Sequence, residues 1–99
     1  MTQSKHNWLV YIILTTGERL YTGITNDLER RWQSHIDGKG AKFFRSDRPD
    51  RIVYCENGHN RSSATQREIA IKQLNRTQKL ALIANCNPNL SAIDPGTVP

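Results

Sequence analysis

The chain is poor in cysteine. Its 99 residues include two, Cys55 and Cys86, and no Cys-x-x-Cys pair occurs. Two cysteines cannot build the disulfide framework of a small secreted protein. Cys55 and His59 have the chemistry of metal ligands, but a structural zinc site needs four ligands at closed spacing. We therefore expect no structural zinc, and we expect Cys55 to be a buried residue of a strand.

Long apolar runs are also missing. The longest, Trp8–Leu14, is far too short to cross a bilayer. The N-terminal residues before it lack the apolar stretch of a signal peptide. These absences predict a cytoplasmic protein with no membrane partner. We expect no small-molecule cofactor either.

Basic residues are absent from the C-terminal end. Residues 85–99 contain no Lys or Arg, three prolines and three asparagines, which predicts a flexible tail after a single domain at residues 1–84. All 14 basic residues therefore belong to the domain, and the chain carries a net charge of +5. A small basic domain suggests a polyanionic partner, nucleic acid before a membrane surface. Charge that serves only solubility is the alternative.

What the sequence does contain is a mixed pattern of strands and helices. Trp8–Leu14 is uninterrupted and rich in β-branched and aromatic residues, which predicts a strand buried on both faces. The other predicted elements, in chain order, are a turn at Thr15–Glu18, a strand at Arg19–Gly23, a helix at Asp27–Ile36 ended by Gly38 and Gly40, a short helical turn and basic loop within Lys39–Arg51, a strand at Arg51–Glu56, a loop at Asn57–Asn60, a helix at Ala64–Leu74 with a Ser63–Gln66 capping box, and a helix at Gln78–Ala84 capped by Thr77. The order ββαβαα predicts an α/β fold of the α+β kind, in which helices flank a small three-stranded, mostly antiparallel sheet.

The first predicted helix carries an arginine beside its apolar stripe. At 100° per residue, Arg31 and His35 fall on the same face as Trp32, whereas Arg30 points away. An arginine beside apolar residues is costly unless a negative group meets it. The alternatives are that Arg31 extends along the helix edge or pairs with a local acid, and that His35 is a hydrogen-bonded structural residue.

The later helix places a carboxylate at the border of its apolar arc. Glu68 lies there, where it can reach a cleft between helix and sheet, and Lys72 is next to it. An exposed Glu68–Lys72 ion pair one turn apart is the alternative reading. Arg67 falls inside the apolar arc, and the periodicity offers no reason for it.

Two tyrosines lie on the predicted hairpin. Because side chains alternate along strands, the loop length decides whether Tyr11 and Tyr21 share a face. A four-residue loop at Thr15–Glu18 would place them on opposite faces, and a three-residue loop or a bulge would bring them together. Two ordinary strand tyrosines remain the alternative.

Taken together and in this order, these residues resemble the GIY-YIG nuclease family. The resemblance covers about residues 8–84 and rests on Tyr11, on Tyr21-Thr22-Gly23, on the helix from Leu28 to His35 and on Glu68. Four further segments resemble the small single-domain bacterial branch of this family, the YhbQ-like proteins: Gly38–Lys42, Arg48-Pro49, Val53-Tyr54 and the segment from Arg67 to Leu74. The chain departs from the family pattern in Leu9-Val10-Tyr11, which keeps only the tyrosine of the first motif, and in Thr22 of the second.

The resemblance implies hydrolysis of phosphodiester bonds with one divalent ion, Mg²⁺ or Mn²⁺. By it, Glu68 is the metal ligand, Arg31 holds and neutralises the scissile phosphate, and Tyr11 is the general base or positions the water. Tyr21 and His35 orient the reacting groups, and Gly23 lets the backbone approach the substrate closely. A free tyrosine has a pKa of ~10, so its deprotonation at neutral pH costs roughly 4 kcal/mol. Arg31 or a metal-bound water has to lower this cost.

A basic residue recurs at every third position between residues 39 and 51. We expect this series, with Lys72, to contact the nucleic-acid backbone without sequence preference: Lys39, Lys42, Arg45, Arg48 and Arg51. Phe43, Phe44 and Tyr54 have the chemistry to stack on bases, although core packing is favoured for Tyr54 and at least one phenylalanine.

The predicted function is a DNA endonuclease that acts in repair or recombination. A noncatalytic nucleic-acid-binding module that keeps the same scaffold is the first alternative, and the basic series favours it. A structural or protein-interaction domain is the second alternative.

Overall fold

The computed structural model describes residues 7–39 and 42–86. Its elements follow in the order β1 Trp8–Thr15, β2 Leu20–Thr25, α1 Leu28–Ile36, α2 Phe43–Ser46, β3 Pro49–His59, α3 Arg61–Lys72 and α4 Arg76–Cys86. The predicted order ββαβαα is confirmed, with α2 as the short helical turn. Helix α4 ends two residues past the predicted domain boundary, and the rest of the predicted tail, like Gly40, lies outside the described residues.

The three strands form one antiparallel sheet in the order β2-β1-β3. Strand β1 is central, and helices cover both of its faces, which explains its uninterrupted apolar sequence. Val10 and Ile12 pack against α3 and α4 through Ala64, Ile71 and Leu82. The other face, with Tyr11 and Ile13, packs against side chains of α1 and α2. The sheet is therefore sandwiched between two helical layers, as the predicted fold class requires.

The β1–β2 hairpin brings the two tyrosines to one face. Glu18 donates its backbone N–H to Thr15, Thr15 donates to Arg19, and Glu18 has a φ of 65°. A three-residue loop closed by a left-handed residue is a common hairpin connection. The predicted four-residue turn at Thr15–Glu18 is wrong by one position, because Thr15 still pairs with the strand. Tyr11 consequently lies opposite Gly23, and Tyr21 lies opposite Ile13 on the same face.

A buried carboxylate anchors this hairpin. Asp47, within the predicted basic loop, accepts hydrogen bonds from Thr15 Oγ1 at 2.6 Å and from the Gly17 N–H at 2.8 Å, and it pairs with Arg19 at 3.6 Å. The hydrogen bond from Thr15 is the main reason why the pKa of Asp47 is lowered. These contacts tie the hairpin loop to the segment that enters β3.

Strand β3 is longer than predicted at both ends. Residues 49–50, expected in a basic loop, and residues 57–59, expected in a second loop, belong to the strand. Near its end the pairing shifts from Val10–Glu56 to Trp8–His59, and Gly58 has a φ of 85°. A bulge with a left-handed glycine lets a turn-like sequence remain within the ladder.

Helix α3 begins three residues before its predicted start. Asn60 caps it: the Asn60 side chain accepts from the Ser63 N–H, and the Ser63 hydroxyl accepts from the Asn60 N–H. The predicted Ser63–Gln66 box is therefore wrong, since Ser63 is the inner partner of an earlier box. Asn75 and Gln78 form the same reciprocal pair at the start of α4, in place of Thr77.

Helix α1 matches its prediction closely. The Asp27 side chain caps it by accepting from the Arg30 N–H, and Gly38, with a φ of 79°, follows its end. None of the helices within residues 7–39 and 42–86 is long and apolar enough to cross a membrane.

Candidate active site

A cleft of about 340 Å³ opens along the β2 edge of the sheet. Gly23 and the neighbouring Ile24, which belong to opposite faces of β2, both line it, so it wraps around the strand edge. The remaining lining residues are Tyr11, Tyr21, Arg31, His35, Lys39 and Glu68. All five residues predicted to be catalytic therefore meet in one cavity, although they come from four different elements.

Tyr11 and His35 are joined directly. The Tyr11 hydroxyl lies 3.0 Å from His35 Nε2, and both side chains are almost fully buried. Tyr21 packs edge-on against the His35 ring with their centroids 5.5 Å apart, and Phe44 supports both rings from behind. Within the described part of the chain, His35 Nδ1 has no hydrogen-bond partner. The imidazole is thus held in place by its neighbours, and its second nitrogen is buried without a partner in this part of the chain.

Burial keeps both groups of this pair neutral. Desolvation raises the pKa of Tyr11 above its ordinary value, Tyr21 and Glu68 raise it further, and Arg31 offsets only part of the shift. Desolvation, reinforced by Arg31, lowers the pKa of His35 below its ordinary value of 6.5. At neutral pH the site therefore contains a phenol and a neutral imidazole. The cost of forming a tyrosinate is higher than that of a free tyrosine, which favours the water-positioning role over a standing phenolate base.

Gly23 makes room for the Tyr11 ring. A Cβ at Gly23 would lie 2.5 Å from the Tyr11 hydroxyl oxygen and 2.7 Å from its Cζ. No real side chain tolerates such contacts, so glycine is required opposite Tyr11. This requirement is a feature that the sequence pattern did not reveal. The predicted approach of the Gly23 backbone to a substrate stays a prediction.

We expect Gly23→Ala to displace the Tyr11 ring. The variant should lose about 1–3 kcal/mol of unfolding free energy through overpacking, and its cleavage rate should fall at least about tenfold because a 1 Å misplacement of a catalytic group is costly. Urea denaturation and a cleavage assay measure the two effects. Gly38→Ala is the control: its Cβ meets no atom within 4 Å, so left-handed strain alone should cost about 1 kcal/mol. Full activity in Gly23→Ala would contradict this placement of Tyr11.

Arg31 extends into the cleft without an acidic partner. It is exposed, and no carboxylate among the described residues forms an ion pair with it. The alternative of a local acid is therefore not seen. A guanidinium at the mouth of a cleft, unpaired within this part of the protein, is available to an external anion such as a phosphate.

Glu68 both faces the cleft and pairs with Lys72, the two arrangements considered from its position on the helix. It lines the cleft, its side chain is 20% exposed, and one oxygen lies 3.1 Å from Lys72 Nζ. The other carboxylate oxygen has no ion-pair partner among the described residues. Pairing with Lys72 and facing the cleft are thus compatible.

The donor set suits a divalent ion that is held mainly by water and substrate. Glu68 supplies the one carboxylate of the cleft lining, and the described residues contain no cluster of three His, Cys, Asp or Glu side chains. Mg²⁺ typically binds through one or two carboxylates, several waters and phosphate oxygens, without a cage of protein ligands. The residues present therefore fit Mg²⁺ or Mn²⁺.

Arg67, which the helical periodicity left unexplained, sets the orientation of α3. Its Nε lies 3.0 and 3.2 Å from the two oxygens of Glu56 on β3. Glu56 also accepts a hydrogen bond from Tyr54 at 2.7 Å and contacts His59 at 2.8 Å. With Arg67 fixed to the sheet, the next residue, Glu68, is turned toward the cleft. The partner comes from eleven residues earlier in the chain, so periodicity within α3 could not identify it.

Removal of Glu56 should release this contact. We expect Glu56→Ala to lose about 1–2 kcal/mol of unfolding free energy, because three polar side chains lose their acceptor in a half-buried position. Urea denaturation measures the change. Asp50→Ala is the matched control, since its 3.9 Å contact with Arg51 is exposed and such pairs contribute little. Equal losses in the two variants would contradict the role given to Glu56.

The predicted basic series is spread over the surface around the cleft. Lys39 lines the cleft itself, and Arg48 lines a neighbouring cavity of about 480 Å³ that shares His35. Lys42 is exposed, Arg51 lies on β3 beside Asp50, and Lys72 pairs with Glu68. The side chain of Arg45 lies outside the described residues.

The residues considered for base stacking belong to the core instead. Phe44 is 5% exposed and Tyr54 is 1% exposed, which confirms that core packing is favoured for them. The side chain of Phe43 lies outside the described residues. Cys55 is half-buried within β3, and burial raises the pKa of its thiol, so the prediction of a strand position is confirmed and that of full burial is wrong.

The chain is similar to known proteins over most of its length. The family model of the GIY-YIG catalytic domain matches residues 7–81. A UPF0213 protein of Oceanobacillus iheyensis is 49% identical over 74 residues, which cover 75% of this chain and 86% of that protein. The UPF0213 protein YhbQ of Escherichia coli is 44% identical over 77 residues, 78% of this chain and 77% of that protein. The solution NMR structure of a UPF0213 protein from Bacillus halodurans is similar with a TM-score of 0.54 and 31% identity, covering 88% of this chain and 96% of that one.

Proposed function

Because the chain belongs to the GIY-YIG family of catalytic domains, we propose that it is a metal-dependent DNA endonuclease that hydrolyses phosphodiester bonds. The observation that carries the proposal is the cleft in which Tyr11, His35, Arg31 and Glu68 converge. An unpaired guanidinium can bind a phosphate, a carboxylate can hold a divalent ion, and a hydrogen-bonded phenol–imidazole pair can transfer a proton.

Arg31 binds the scissile phosphate in this proposal. Negative charge grows on the phosphate oxygens as the water attacks, and a planar guanidinium can donate two hydrogen bonds to them at once. Because no acid among the described residues competes for Arg31, the interaction is reserved for the substrate. Lys39, which lines the same cleft, adds a second positive charge.

Tyr11 and His35 together take the proton of the attacking water. The Tyr11 oxygen accepts this proton while the phenol passes its own proton to His35 Nε2, which lies 3.0 Å away. The phenol is neutral before and after the transfer, so the unfavourable tyrosinate never has to accumulate. The lowered pKa of His35 keeps its nitrogen unprotonated and ready at neutral pH.

Glu68 is the residue that would hold the divalent ion. Mg²⁺ or Mn²⁺ held there would supply positive charge beside the phosphate and would make a nearby water easier to deprotonate. The Lys72 ammonium group lies 3.1 Å from one oxygen of this carboxylate and would be the neighbour of a bound ion.

A noncatalytic nucleic-acid-binding module is the second candidate. The Glu68–Lys72 contact favours it, since an ion pair already satisfies one oxygen of the proposed metal ligand. In that case the same cleft binds a phosphate without cleaving it. DNA repair or recombination is the role that we propose for the enzyme, and DNA-backbone binding alone is the role of the alternative.

Incubation with labelled nucleic acid separates the two candidates. Single-stranded, nicked and branched DNA, together with single-stranded RNA, are treated with the purified chain in Mg²⁺, Mn²⁺ or EDTA. We expect DNA cleavage in both metals and none in EDTA. Salt-dependent binding with no cleavage in any metal would support the noncatalytic candidate and overturn the enzyme assignment.

A further inference from the structure

A second cavity adjoins the cleft on the other side of Arg31. It has a volume of about 320 Å³ and lies between the β2–α1 loop and the first turns of α1. Its lining residues are Thr25, Asn26, Asp27, Arg30, Arg31 and Ser34. Arg31 lines both cavities, so the two are neighbours on either side of this side chain.

Three donor side chains converge on this cavity through helical spacing. Ser34 follows Arg30 by four residues and Arg31 by three, so all three are neighbours on the surface of α1. Neither guanidinium forms an ion pair with an acid between residues 7 and 39 or 42 and 86. Two arginines and a hydroxyl form a donor set suited to a phosphate group.

The acid in the cavity is already engaged. Asp27 caps α1, and its Oδ1 accepts a hydrogen bond from the Arg30 N–H at 3.2 Å. The binding surface for an anion is therefore the part formed by the arginine side chains and Ser34, and it does not depend on the end of the helix.

We infer that this cavity binds the phosphodiester next to the one held in the cleft. The inference rests on the proposed function and extends it, since it gives the nucleic-acid strand a path over α1. Arg31 contacts both phosphates, and Arg30 contacts the outer one. The helical periodicity predicts that Arg30 points away from the face that carries Arg31. In the structure Arg30 lines the second cavity, which gives it a role in phosphate binding.

The opposite end of the cleft continues the same path. The cavity lined by Arg48 shares His35 with the cleft. Three cavities thus follow one another, linked by Arg31 and by His35, with a basic side chain in each. A single strand laid across them passes from Arg30 over the cleft to Arg48.

A basic surface elsewhere provides a matched control. Arg19, Arg76 and Lys79 line a cavity of about 230 Å³. Helix α4, which carries Arg76, packs through Leu82 and Ile83 against the sheet face opposite to Tyr11. Arg76→Gln therefore removes the same charge as Arg30→Gln, but away from the proposed path.

Salt-dependent DNA binding tests the inference. Both substitutions are made in a Glu68→Gln background, so that cleavage does not interfere, and fluorescence anisotropy follows a labelled single-stranded oligonucleotide over a range of salt concentrations. We expect Arg30→Gln to raise Kd about threefold to tenfold at low salt and to reduce the slope of log K against log salt by about 0.7, the loss of one phosphate contact. Arg76→Gln should leave the slope unchanged. An unchanged slope for Arg30→Gln, or equal losses in both variants, would overturn the inference.

The binding assay tests the second phosphate site independently of whether the protein cleaves DNA. If the wild-type chain binds DNA and never cleaves it, the effect of Arg30→Gln on the slope still decides whether the cavity holds a phosphate. Thermal unfolding of Arg30→Gln supplies the folding control, and because Arg30 is exposed we expect its midpoint to match that of Arg76→Gln.

Discussion

Glu68→Gln should lower the rate of DNA cleavage about a thousandfold or more while DNA binding is retained. The amide keeps the size of the side chain but loses the charge that a divalent ion needs, and the stabilisation supplied by such an ion is worth several kcal/mol. The described cleft lining offers no second carboxylate to replace it. Single-turnover cleavage in Mg²⁺ measures the rate, and anisotropy measures binding.

The control for Glu68 is a glutamate outside the cleft. Glu18 lies in the β1–β2 loop, outside the cleft lining, so Glu18→Gln removes the same charge from the chain. We expect it to cleave at the wild-type rate. Loss of the Glu68–Lys72 contact should itself cost only a few tenths of a kcal/mol, because it is a one-turn helix pair. A Glu68→Gln rate within about threefold of wild type would be incompatible with the proposed metal ligand.

Tyr11→Phe should have the second largest effect, a loss of about 10²–10⁴ in the cleavage rate. This range is typical when a group that transfers a proton is removed. The ring still fills the space opposite Gly23, so the loss comes from the hydroxyl and its 3.0 Å contact with His35. Unfolding free energy should fall by about 1–2 kcal/mol, because the buried imidazole loses its partner.

Tyr54→Phe is the matched control for this change. It removes a phenol from an equally buried tyrosine, whose hydroxyl donates to Glu56 at 2.7 Å on the other side of the sheet. We expect a similar loss of unfolding free energy and almost no loss of cleavage. Comparable rate losses in the two tyrosine variants would mean that the Tyr11 hydroxyl acts through stability and not through the reaction.

Local periodicity predicts the order of strands and helices that the structure shows, whereas the set of candidate site residues follows from the resemblance to the GIY-YIG family. The continuous apolar run of β1 predicts a strand buried on both faces, and helical side chains cover both of its faces. The 100° helical steps place Arg31 with His35 and bring Glu68 to the edge of its apolar arc, and all three line the cleft. These placements on a strand or helix face need only the spacing of residues within one element.

What the sequence does not predict depends on contacts between elements. The shared face of Tyr11 and Tyr21 depends on the three-residue loop, which Glu18 closes in the left-handed conformation. Residues other than glycine rarely adopt that conformation. Arg67 is explained by Glu56 on another strand. The neutral state of Tyr11 follows from how deeply the assembled layers bury it, and no property of the neighbouring sequence reveals that depth.

The most direct test of a single catalytic cleft is the single-turnover cleavage rate of the double variant Tyr11→Phe/Glu68→Gln beside the two single variants. Groups that act as one unit lose most of their effect together, so their rate losses are not multiplicative. We expect the double variant to be no more than a few-fold slower than Glu68→Gln. Rate losses that multiply, or a wild-type chain that cleaves no DNA in Mg²⁺ or Mn²⁺, would contradict the proposed site.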